Sequence, residues 1–150
     1  MKVTVFTAAD YVDSSAGKLT IIGAFDNIEI ENCPTTFKPF GVAIKIIAEP
    51  RDRGKMRQGR IVLRKVGAKK PLFEGRLGMN FEMAAREKVN TIILALNIIG
   101  VRFESLGGYE LILLVGSRVR TSTRLNVVKR AAPHPPTERT KRPPTGPKKP

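Results

Sequence analysis

Short runs of β-branched and aliphatic residues, alternating with polar ones and broken by Gly, Pro, Asn and Asp, dominate this chain from its first residues. That two-residue period places every second side chain on one face of a strand and excludes an amphipathic helix over the same run. Val3, Val5 and Thr7 alternate with Thr4, Phe6 and Ala8, and Asp13-Ser14-Ser15-Ala16-Gly17 reads as a turn. Leu19 to Ile22 resumes the pattern. Between Phe25 and Glu31, Ile28 and Ile30 are expected inside, with Glu29 and Glu31 in water. Pro34 and Pro39 bracket a break before a strand over Val42 to Ala48.

Arg51 to Gly59 reads as a polar loop, and Arg60 to Val66 and Leu72 to Phe81 as strands joined by a turn over Gly67 to Pro71. Met83 to Val89 is the one place for a short helix. Strands follow over Thr91 to Ile99, Val101 to Glu104 and Tyr109 to Val115, the last two joined through Ser105-Leu106-Gly107-Gly108. Gly116-Ser117 turns into a final strand near Val119 to Val128. About eight or nine short strands with almost no helix predict an all-β fold: a two-layer antiparallel β-sandwich, with a barrel as the alternative.

A domain over residues 1–130 can bury roughly two-thirds of its unfolded surface without a disulfide or metal. The one cysteine, Cys33, can form no intramolecular bridge, which suits a reducing compartment. From 131 onward, seven prolines in twenty residues and few apolar side chains predict a disordered, basic tail. The N-terminus runs directly into strand-like alternation, without a long apolar run or a small-residue cleavage site, so no signal peptide is expected. The most apolar stretch, Thr91 to Val101, is about half a membrane span, and Asn97 interrupts it. The expected location is cytoplasmic.

The net charge of +14 is unevenly distributed. Residues 1–50 carry four Lys/Arg against six Asp/Glu, whereas residues 51–70 carry nine basic residues against Asp52 alone. Arg118, Arg120, Arg124, Lys129 and Arg130 add a second basic group, and the tail a third. A field so placed attracts polyanions. The candidate anion contacts are Arg51, Arg53, Lys55, Arg57, Arg60, Arg64, Lys69, Lys70, Arg118 and Arg120, with Arg124 and the tail assisting. Against a nucleic-acid partner stands the aromatic content: no Trp, two Tyr, and seven Phe, most of them spaced like core residues.

Catalytic patterns are lacking. His134, the one histidine, lies between Pro133 and Pro135 in the tail, where nothing would hold a general base in place. No nucleophile elbow, Walker A loop or dinucleotide fingerprint occurs, and no cofactor is expected. Asp10, Asp13 and Asp26 are the nearest approach to a metal cluster. A hairpin closed by Asp13 to Gly17 would set Asp10 and Asp26 five strand residues apart, about 17 Å, too far to share an ion. Asp10 is then expected to bond a backbone amide at the strand's end.

Two strands are apolar on both faces. Over Thr91 to Ile99, Ile92, Leu94, Leu96 and Ile98 share one face, with Ile93, Ala95 and Ile99 on the other. Over Tyr109 to Val115, Ile112 and Leu114 oppose the core-facing set. Only one face of a sandwich strand meets the core, so the other needs a cover from this chain or from another. Ile93, Ile99, Ile112 and Leu114 are the candidate interface, for a protein partner or a homo-oligomer.

Phe6-Thr7-Ala8-Ala9-Asp10-Tyr11, followed by Gly17-Lys18-Leu19 and Gly23-Ala24-Phe25-Asp26, resembles the opening hairpin of an uncharacterised bacterial family, a domain of unknown function. Arg102 to Leu111 is similar to a second hairpin of that family, and the likeness covers roughly residues 1–130. It implies a compact cytoplasmic β-sandwich and supplies no catalytic residues. The expectation is therefore a non-catalytic protein-interaction or scaffold module, with an accessory polyanion binder, of nucleic acid for example, as the alternative.

Overall fold

The computed structural model describes residues 1–49, 52, 55–80, 91–116 and 119–131, with the backbone alone at Val119 and Arg120. The expected helix at Met83 to Val89, the tail beyond Ala131, and Arg51, Arg53 and Arg118 lie outside the described residues.

Eleven strands follow one another: β1 (Lys2–Ser15), β2 (Lys18–Phe25), β3 (Asn27–Ile30), β4 (Thr35–Thr36), β5 (Phe40–Ile47), β6 (Met56–Lys65), β7 (Phe73–Asn80), β8 (Thr91–Ile98), β9 (Arg102–Phe103), β10 (Gly107–Val115) and β11 (Val119–Lys129). Sheet order is β2-β1-β5-β8 in one layer and β3-β11-β10-β6-β7 in the other, with a two-stranded ribbon, β4-β9, at the margin. The fold is all-β, and the described residues form no α-helix.

Alternation builds the core as expected. Val42, Ile44 and Ile46 of the first layer share one buried cluster with Ile61, Leu63, Leu111, Leu113, Leu125 and Val127 of the second. Ile28 and Ile30 join it, while Glu29 and Glu31 are exposed. Tyr109 is buried beside Phe103, ring centroids 4.9 Å apart and nearly perpendicular. Its hydroxyl donates to the Ser105 carbonyl at 2.7 Å, which satisfies the one polar atom on that ring.

Four local expectations need correction. The first strand runs on through Ser15, because Ala16 (φ 49°) and Gly17 (φ 70°) close the hairpin as a two-residue turn with Ser15 opposite Lys18. Two left-handed residues match the strands' twist, so the polar Asp13-Ser14-Ser15 stays in the ladder. Strand β6 begins at Met56, inside the stretch read as a loop: Gln58 is opposite Gly78, and its carbonyl accepts from Gly116 N–H at 2.9 Å. Tertiary pairing on both edges overrides that segment's polarity. Strand β9 does not form a hairpin with β10; it pairs with β4, Thr35 opposite Phe103, because β6 and β11 already occupy both edges of β10. Strand β3 runs parallel to β11, the one parallel pair between described strands, after the chain crosses between layers at Asp26.

The first sheet is strongly curled: residues of its edge strands β2 and β8 come within 8 Å of one another. On its outer face Ala9, Val12 and Ala43 are buried, packed with Val5, Leu19, Ile21 and Ala95. Small residues permit this curl. A Cβ on Gly41 would lie 2.5 Å from Cγ2 of Val12. The second apolar face of β8 thus receives part of its cover, at Ala95, from β2 of the same chain.

The register of the first hairpin also changes the reading of the aspartates. Ala9 pairs with Ala24 and Tyr11 with Ile22, which sets Asp10 opposite Gly23. Asp26 then lies three strand residues from Asp10, about 10 Å, rather than five. Asp10 accepts from Lys38 Nζ at 2.7 Å, and among the described residues no backbone amide donates to it. Among the described residues no three His, Cys, Asp or Glu side chains gather as metal ligands.

Candidate functional site: the outer face of the five-stranded sheet

Register decides which basic residues meet. On the outer face of the second sheet, Arg64, Glu110 and Arg124 form one row across β6, β10 and β11. Glu74, Val62, Ile112 and Ser122 form the next, and Arg76, Arg60, Leu114 and position 120 the third. An aliphatic strip of Val62, Ile112 and Leu114 is therefore set among arginines from three strands. Arg60 Nη1 lies 3.2 Å from Glu74 Oε1, and Arg64 Nη2 lies 3.3 Å from Glu110 Oε2. Arg76 and Arg124 have no ion pair among the described residues.

Lys69, from the turn between β6 and β7, joins this surface. With Arg60, Val62, Arg64, Pro71, Glu74, Ile112 and Leu114 it lines a shallow depression of about 330 Å³. A neighbouring depression of about 720 Å³ is bounded by Gln58, Gly59, Arg60, Arg76, Leu114 and Gly116. Five described cations (Arg60, Arg64, Lys69, Arg76, Arg124) thus share the face with two carboxylates, both already in ion pairs. Guanidinium groups over an aliphatic floor bind carboxylates or phosphates bidentately while their stems cover apolar surface.

The sequence-derived candidates divide among separate places. Arg60, Arg64 and Lys69 come together on this face. Lys70 and Lys55 are exposed in connecting segments. Arg57 has the opposite strand parity, beside the core-facing Gly59 and Ile61, and its Nη2 lies 3.5 Å from Asp52 Oδ1. For Arg120 the backbone alone is described, opposite Leu114. Arg51, Arg53 and Arg118 are outside the described residues. Arg76 is a member that sequence reasoning missed. Counting outward from the expected turn at Gly67 to Pro71 sets Arg60 against Gly78, and only the observed register sets it against Arg76.

The apolar candidates are not one patch. Ile112 and Leu114 belong to this face, with Ile112 only 4% exposed between Val62 and Ser122. Ile93 and Ile99 belong to the other sheet, Ile93 half-buried on β8 and Ile99 68% exposed just beyond it.

Asp52 is the buried charged side chain among the described residues, and it serves structure at the far end of β6. Burial opposes its charge. Hydrogen bonds from the Met1 ammonium and the Glu49 N–H, with the positive charges of Met1 and Arg57, outweigh that and hold its carboxyl below the ordinary 3.8.

A family model described as "Family of unknown function (DUF6941)" matches residues 4–128. No curated protein matches the sequence. Among solved structures, a β-glucosidase, EmGH1, from Erythrobacter marinus is similar at 10% identity with a TM-score of 0.44. That likeness covers 69% of this chain and 14% of the enzyme.

Proposed function

The chain belongs to the family of unknown function DUF6941, and we propose that it is a non-catalytic binding module that docks an acidic protein segment on the outer face of its five-stranded sheet. The observation that carries this reading is the strip Val62–Ile112–Leu114 enclosed by Arg60, Arg64, Arg76 and Arg124. Interfaces combine an apolar centre with arginine anchors and a polar rim. The excess of positive charge selects a partner that alternates acidic and aliphatic side chains.

Nucleic acid is the weaker occupant. The cross-strand rows contain no aromatic ring on which a base could stack, and two of the arginines already hold carboxylates.

Fluorescence anisotropy on the full chain tests this. The probes are a labelled peptide of alternating Glu and Leu, and a labelled oligothymidylate, at about 50 mM and 200 mM salt. Peptide binding that weakens roughly tenfold in Leu114→Asp and again in Arg76→Glu supports the reading. Oligonucleotide binding that outcompetes the peptide, falls steeply with salt and ignores Leu114→Asp would replace it with the polyanion reading. Peptide affinity unchanged in both variants overturns it.

A further inference from the structure

Strand β8, the edge of the four-stranded sheet, reads Thr-Ile-Ile-Leu-Ala-Leu-Asn-Ile, without a charge or a proline. Among the described residues it pairs only with β5, and β2 approaches it without forming a ladder. All of residues 91–96 are partly exposed, including Ile92, Leu94 and Leu96, which pack on the main core. The other long edges are guarded: β7 carries Glu74 and Arg76, and β2 begins at Lys18 and is interrupted by the left-handed Gly23 (φ 65°). An edge without charge, proline or bulge is a template for another strand.

We propose that β8 pairs antiparallel with β8 of a second copy about a two-fold axis, joining two four-stranded sheets edge to edge. The backbone groups of an edge demand a strand as occupant. Self-pairing fits the absence of charge: in a two-fold antiparallel pair the residues nearest the axis face their own copies, where a charge would meet its like, and β8 has none to oppose. Strand parity keeps the two outer faces continuous, so Ile93 of each copy meets odd-numbered residues of the other. Ile99, exposed just past the strand end, extends the contact. This inference is independent of the basic face, which lies on the other sheet.

Sedimentation velocity on the full chain, from low to high micromolar concentration, tests it. The wild type is expected as a dimer. Ile93→Glu and Ile93→Lys are each expected as monomers at the same concentrations, and their equimolar mixture as a dimer once more. Tyr11→Glu, at an exposed position on the β1–β2 hairpin, is expected to leave the dimer intact. A wild type that stays monomeric overturns the proposal, as does a dimer that survives both Ile93 variants. Should those variants fail to fold, hydrogen exchange of the wild type decides: amides of residues 91–98 gain protection with concentration if β8 pairs, and show no change if it does not.

Discussion

The α-ammonium of Met1 lies 3.1 Å from Asp52 Oδ2, joining the start of β1 to the segment that precedes β6. Glu49 completes the pair at 2.5 Å from the same nitrogen. Two remote parts of the chain are thereby held together at a carboxylate whose side chain is only 6% exposed.

That contact sets a pH window. Asp52 titrates below its ordinary 3.8 in the folded chain, so its contribution to stability stands above about pH 4 and is lost as pH falls through the folded value. The Met1 ammonium has the opposite sense. Burial lowers its value, but hydrogen bonds to Glu49 and Asp52 and their negative charges raise it above 8.0. Its contribution stands below about pH 8 and is lost as pH rises past the folded value. Chemical denaturation across pH should show a plateau between those limits. Asp52→Asn should lower it by about 2 kcal/mol and flatten the acid limb.

Gly41→Ala should destabilise the protein by about 1–3 kcal/mol, since its Cβ would sit 2.5 Å from Cγ2 of Val12, a side chain with a stiff χ1. Val12→Ala should relieve part of that cost in the double variant. Equal losses that simply add would show that the two positions do not meet.

Ala16 holds φ at 49° and is exposed. A left-handed alanine costs roughly 1 kcal/mol, and Asn-Gly is the favoured pair for this turn. Ala16→Asn should therefore raise the midpoint of thermal unfolding, by the equivalent of about 0.5–1 kcal/mol.

Tyr109→Phe removes one hydroxyl and leaves the ring against Phe103. A loss of about 1 kcal/mol is expected in denaturant melts with an unchanged slope. Leu111→Ala, at a fully buried position of the same strand, should cost about 2–5 kcal/mol.

Much of the fold was legible because alternation is local. Ile28, Ile30, Val42, Ile44, Leu111 and Leu113 declare their inward faces within a few neighbours, and each is buried. The candidate site was legible only in pieces. Arg60 and Arg64 were evident as basic residues two turns of the pleat apart, but Arg57 looked equivalent and points the other way, toward Asp52. Arg76 stood in a segment of balanced charge and gave no sign of itself until β7 was laid beside β6.

The sequence by itself determined the class of structure and the inward-facing residues of the core strands, because side-chain period and residue chemistry are properties of adjacent positions. Only the tertiary structure decided that β9 joins β4, that β3 runs parallel to β11, that the first sheet curls until Leu19 and Ile21 cover Ala43, and that arginines from three strands converge around Ile112 and Leu114. Those outcomes depend on register and on competition for strand edges between residues far apart in the chain, and no local pattern encodes which edge is already taken.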